Sequence, residues 1–209
     1  MAIKKFNLSQ NGKDVNSLIE DALKAVGLRP GDIIGRYPHQ ISGGERQRLM
    51  LARILLIKPK LILADEPVSM IDVSLRAIFL ETLLDFKNKY EMSSLYVTHD
   101  FNIAYHVADN VLVLCRGNIV EKGNMDDVIK EPLHPYTQAL IKSIPIPDPT
   151  KRWKDKIELK IGSLEGDVDR SGCIFYERCP YADKLCVEKK PPLFKVGNER
   201  EVACFLYEQ

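Results

Sequence analysis

The sequence predicts an α/β fold, an incomplete parallel sheet with helices followed by a small cysteine-rich C-terminal extension. Short strand-like runs at residues 61–64, 94–98 and 111–114 alternate with segments of helical periodicity, the pattern of strands joined by crossover helices. The run Leu61, Ile62, Leu63 and Ala64 is apolar without a break, as expected of a strand buried on both faces of a parallel sheet. After Ile144 the texture changes: Pro145, Pro147 and Pro149 interrupt any helix, and four of the five cysteines follow. Two domains are therefore expected, residues 1–144 and 145–209.

Taken in order, residues 1–13 are polar and unpatterned. Leu18, Ile19, Ala22, Leu23 and Val26 recur at helical spacing, and Gly27 is placed to stop that helix. A loop with Pro30, Gly31, Gly35 and Pro38 leads to Ser42, which opens an amphipathic helix running to about Ile57 and closed by Lys58 and Pro59. A helix over about residues 72–90 joins the first strand to the second, and one over about 101–108 joins the second to the third. Arg116, Gly117 and Asn118 then read as a hairpin turn into a strand at 119–122. The segment 145–209 is too small to rely on an apolar core, and a metal centre would supply the missing stabilisation.

The bulk numbers narrow the classes. Hydrophobic residues make up 45% and charged residues 28% of the 209, the balance of a globular protein. A net charge of +1 offers no global attraction for nucleic acid or an anionic membrane. The longest apolar runs fall far short of the ~20 residues of a spanning helix. The N-terminus lacks the apolar stretch of a secretory signal, and an odd cysteine count argues against a secreted disulfide scaffold.

Three motifs carry chemistry. Ser42 followed by Glu45 is a capping box. Gly43 and Gly44 between them weaken a first helical turn, and small residues there let an anion approach backbone N–H groups at a helix N-terminus. Asp65 and Glu66 end an apolar strand, at the sheet edge where α/β folds bind ligands. Asp65 suits Mg²⁺ through water, and Glu66 suits orienting and deprotonating an attacking water. His99, between Thr98 and Asp100, directly follows the next strand. Each has a plainer reading alone: a well-made helix start, a solvated acidic loop, a structural histidine.

In this order the three resemble the ATP-binding cassette family. The signature motif falls on residues 41–48, including Ser42, Gly43, Gly44, Glu45 and Gln47. Walker B falls on 61–66, the D-loop on 69–72 and the switch histidine on His99. The D-loop departs mildly, with Met70 and Ile71 before Asp72 where Ala-Leu is usual. Leu133, His134, Pro135, Tyr136 and Thr137, with the cysteine-bearing tail after them, resemble the C-terminal extension of oligopeptide and dipeptide importer ATPases. The resemblance implies ATP with Mg²⁺, catalysis by Glu66, His99 and Asp72, magnesium held by Asp65, and a signature helix acting on nucleotide bound by a partner. It also implies a second, full-length ATPase subunit, transmembrane permease subunits, an indirectly coupled solute-binding protein and a peripheral place on the cytoplasmic side of the membrane. The implied role is to energise oligopeptide or dipeptide uptake, with nickel as the alternative cargo. A soluble DNA-repair or ribosome-associated ATPase and a non-catalytic metal-bound module are the alternatives.

The phosphate-cradling loop G-x-x-x-x-G-K-[ST] has no counterpart. Gly12 and Lys13 are followed by Asp14, and the earlier glycine position holds Asn7. The chain is thus expected to begin inside the helical subdomain and to be inactive alone. Cys173, Cys179, Cys186 and Cys204 are spaced C-x5-C-x6-C-x17-C, without the C-x2-C to C-x4-C knuckles of structural zinc sites. The wider spacing suits a [4Fe–4S] cubane, and the family resemblance points the same way; zinc and reduced thiols stay open. Cys115 reads as a small core residue.

Overall fold

The computed structural model describes residues 14–69, 72–144, 171–197 and 199–208. The candidate loop at Gly12–Lys13, the D-loop's Met70 and Ile71 and the three prolines after Ile144 lie outside them. The chain divides into two compact units, Met1–Val107 and Ala108–Gln209.

In the first unit, helix α1 (Val15–Ala25) buries Ala22 and Leu23. It ends where expected. Gly27 has φ of +69°, Leu28 N–H donates to Leu23 O and Gly27 N–H to Lys24 O, the paired bonds of a Schellman stop. A short helix α2 (Pro30–Ile33) precedes α3 (Gly43–Ile57), whose C-cap Lys58 is left-handed. Strand β1 (Leu61–Asp65), helix α4 (Val73–Tyr90), strand β2 (Ser93–Val97) and helix α5 (Phe101–Val107) complete the unit. β1 and β2 pair in parallel, Leu61 opposite Ser93 through Asp65 opposite Val97. The core joins α1, α3, α4 and one face of β1 through Leu23, Val26, Leu51, Ile62, Phe79 and Phe86.

The α/β reading holds in this unit, but the double burial of β1 does not. Ile62 and Ala64 face the core, whereas Leu61 is 56% and Leu63 72% exposed. Paired residues share a face, and Leu95 and Val97 are exposed beside them. Among the described residues of the unit no layer covers this side. An unbroken apolar run tells that both faces are apolar, not that both are covered.

The second unit is antiparallel. Strand β3 (Asn110–Cys115) turns into β4 (Asn118–Asn124) through Arg116 and Gly117, with φ of +46° and +78°. Two positive φ values in a two-residue loop match a type I′ hairpin, so the expected turn is present. Helices α6 (Met125–Lys130), α7 (Pro135–Lys142) and α8 (Lys184–Glu188) precede strands β5 (Phe194–Val196) and β6 (Arg200–Val202). The sheet order is β3-β4-β6-β5. The third expected strand therefore joins an antiparallel sheet rather than β1 and β2. Because β4 pairs with β6, the change of composition after Ile144 does not coincide with the division between compact units.

Candidate functional site

The first unit assembles the motif residues on α3 and at the ends of two strands. Ser42 caps α3: its Oγ accepts from Glu45 N–H at 3.2 Å, and Glu45 Oε2 accepts from Ser42 N–H at 2.8 Å and from Ser42 Oγ at 2.7 Å. These bonds hold the Glu45 carboxyl below its usual range, the hydroxyl contact first and the backbone N–H next. The two glycines differ. A Cβ on Gly43 would meet nothing within 4 Å, whereas one on Gly44 would lie 2.6 Å from Leu75 Cδ1. Gly44 thus lets α3 approach α4, and Gly43 leaves the helix N-terminus open. Gln47 Nε2 donates to Pro67 O at 2.9 Å, tying α3 to the loop after β1.

That loop begins at Asp65, exposed at the end of β1. Glu66 N–H still donates to Val97 O at 2.9 Å, which extends the parallel ladder by one bond. Its φ of +41° is left-handed, a conformation that non-glycine residues adopt at a cost and that clusters at functional sites. The bend brings Glu66 Oε1 to 3.0 Å from His99 Nδ1, with both side chains open to solvent. His99 is positioned by the turn after β2: Thr98 Oγ1 accepts from Asp100 N–H, and Asp100 Oδ1 accepts from Asn102 N–H. Parallel pairing thus delivers an acid and an imidazole from two strands to one edge. Asp72 is exposed at the N-cap of α4 and makes no side-chain cap bond.

The second unit holds the cysteines. Cys173, Cys179, Cys186 and Cys204 line one cavity of about 60 Å³, with His134, Phe175 and Asp183 also on its wall. Burial pushes the Cys186 thiol up to about 11, and those of Cys173 and Cys204 upward. Among the described residues, no three His, Cys, Asp or Glu side chains are grouped so as to hold a metal ion. Cys115 is buried on β3, its thiol also pushed up by burial.

A buried glutamate and its partly buried arginine partner carry no sequence signal. Glu121, fully buried on β4, pairs with Arg200 Nη2 at 2.7 Å and accepts from Leu133 N–H and His134 N–H, each at 3.0 Å. Arg200 also donates to the Glu131 carbonyl. The pair fastens the His134 segment to the sheet. His134 Nδ1 accepts from Tyr136 N–H at 3.0 Å, and the ring hydrogen-bonds the backbone of Ala203, next to Cys204; burial lowers its pKa to about 4. A glutamate in a strand and an arginine 79 residues away form a pair that only the fold reveals.

The family model described as ABC transporter matches residues 3–69, and that for the oligopeptide/dipeptide transporter C-terminal region matches residues 120–186. The chain belongs to the oligopeptide/dipeptide branch of the ABC transporter family. It is 38% identical over 203 residues to the oligopeptide transport ATP-binding protein OppF of Haemophilus influenzae, covering 97% of this chain and 61% of the relative. It is 41% identical over 202 residues to the putative oligopeptide transport ATP-binding protein YkfD of Bacillus subtilis, covering 96% and 61%. With the di/tripeptide transport ATP-binding protein DppF of Pseudomonas aeruginosa it shares 38% over 207 residues, covering 98% and 62%. The chain spans about three fifths of the length of these relatives. No helix among the described residues is long and apolar enough to cross a membrane.

Proposed function

We propose that this chain carries the signature helix and the catalytic carboxylate of an ATP-hydrolysing subunit that energises peptide uptake. The observation that carries the reading is the 3.0 Å contact between Glu66 and His99 at the ends of two parallel strands. Glu66 orients and deprotonates the attacking water, His99 holds Glu66 and reaches the phosphate, and Asp65 holds Mg²⁺ through water. Asp72, at the start of α4, belongs to the D-loop facing a second ATPase subunit. Ser42 and Gly43 present the N-terminus of α3 to the phosphate of nucleotide held by that subunit. Gly44, Glu45 and Gln47 support the same segment through their contacts with Leu75, Ser42 and Pro67. The relatives' names, oligopeptide and di/tripeptide transport ATP-binding proteins, support a peptide cargo; permease partners and a peripheral position on the cytoplasmic face of the membrane are part of the same proposal.

Because the 209 residues contain no phosphate-cradling loop of the G-x-x-x-x-G-K-[ST] type, the chain alone is expected to hydrolyse Mg-ATP no faster than background. Glu66→Gln should then change nothing. Phosphoryl transfer depends on positioning and charge stabilisation, and neither acts on an unheld phosphate. Robust turnover by the wild-type chain, abolished in Glu66→Gln, would show a complete site in cis and overturn this reading.

For the second unit we infer a [4Fe–4S] cluster held by Cys173, Cys179, Cys186 and Cys204, with a structural role. The four thiols share one cavity, and four cysteines are the donor set of a cubane. Zinc on the same four cysteines is the alternative, and the absence of a gathered metal-binding group among the described residues favours neither. Burial pushes the Cys173, Cys186 and Cys204 thiols up, and a cluster bound as thiolates would displace their protons. The cluster would supply the cross-link that a segment with so small a core lacks.

A further inference from the structure

Gly172 is buried, and its backbone runs against the chain segment that carries Cys186. A Cβ there would lie 2.4 Å from the Val187 carbonyl oxygen and 2.6 Å from that of Cys186. Both obstacles are backbone atoms, which cannot swing aside as a side-chain end can. No positive φ is involved, so the position demands glycine for space and not for conformation. The close approach is used at once: Cys173 N–H donates to Cys186 O at 2.7 Å. Two of the four cavity cysteines are thus set against each other by one missing side chain. Cys186 has a second anchor. Its N–H donates to Asp183 Oδ1 at 3.0 Å, and Asp183 itself lines the cavity.

We propose that Gly172 and Asp183 are positioning residues for the cysteine cradle: Gly172 joins the Cys173 and Cys186 segments, and Asp183 fixes Cys186 while holding a negative charge beside the cluster. This rests on the cluster reading above. Neither residue need touch iron. Gly172 sets whether the cysteines meet, and Asp183 sets the field in which the cluster gains an electron, because net charge and hydrogen bonding around a cluster tune its potential.

The test uses the full chain, purified anaerobically and reconstituted with ferrous iron and sulfide. Iron and sulfide per chain, visible absorption, far-ultraviolet circular dichroism and a redox titration followed by electron paramagnetic resonance are read together. Wild type should bind about four of each. Gly172→Ala should lose most of the iron while keeping its helical signal. Asp183→Asn keeps an oxygen for the Cys186 N–H, so it should retain iron yet show a more positive midpoint potential, a shift that a purely structural cap would not produce. Asp183→Ala should also lose iron. If Gly172→Ala fails to fold, the Asp183→Asn potential decides. A wild-type cluster left unchanged by Gly172→Ala and unshifted by Asp183→Asn would overturn this inference and leave the cluster standing. Stoichiometric zinc and no iron in wild type would overturn the cluster reading itself.

Discussion

Glu121 concentrates several demands on one side chain. It is fully buried, its partner Arg200 is 11% exposed, and it also satisfies two backbone donors of the Leu133–His134 turn. Removing one member of a buried pair strands the other charge, which outweighs any worth of the pair itself. Glu121→Gln should therefore cost about 3 kcal/mol or more, read from denaturant melts, and should loosen the backbone amides of Leu133 and His134 to hydrogen exchange. Removing the exposed Lys24, paired with Glu20 at 3.4 Å, should cost less than about 0.5 kcal/mol. Equal effects of the two changes would contradict the assigned burial. At this scale the sequence was legible unevenly. Ser42, Glu66 and His99 could be picked out because each follows a recognisable strand or helix boundary. Glu121 and Gly172 could not, since their roles depend on backbone approaches made by residues distant in the chain.

Among the elements, α3 was the most readable, because its start is encoded locally. The Ser42–Glu45 box closes within four residues, and Lys58 and Pro59 close the far end. Ser42→Ala should destabilise the first unit by about 1 kcal/mol through the lost cap, visible as a lower midpoint at unchanged denaturant slope. Equal stability would mean that the box is not formed in solution. Gly27 was likewise legible as a stop, and the structure supplies both bonds of the motif. Strand β1 was legible as a strand and misread in its surroundings. Its Leu61 and Leu63 face outward with Leu95 and Val97, and burial is set by neighbouring layers that a local pattern does not describe.

Across the whole molecule, the motif residues fall into separate compact units: Ser42, Asp65, Glu66 and His99 in one, and the four clustered cysteines in the other. The expected boundary followed composition, but the units follow pairing. β4 before the proline-rich stretch pairs with β6 beyond it, and such long-range pairing has no local signature. The N-terminus of α3 is proposed to work on nucleotide held by a second subunit. The most direct measurement is Mg-ATP turnover when the 209-residue chain is mixed with a complete peptide-importer ATPase whose own signature helix has been disabled. Wild-type chain should restore turnover, and Ser42→Arg should remove it, because a cation at that helix N-terminus blocks the phosphate position and opposes the dipole. Restoration that survives Ser42→Arg would contradict the claim.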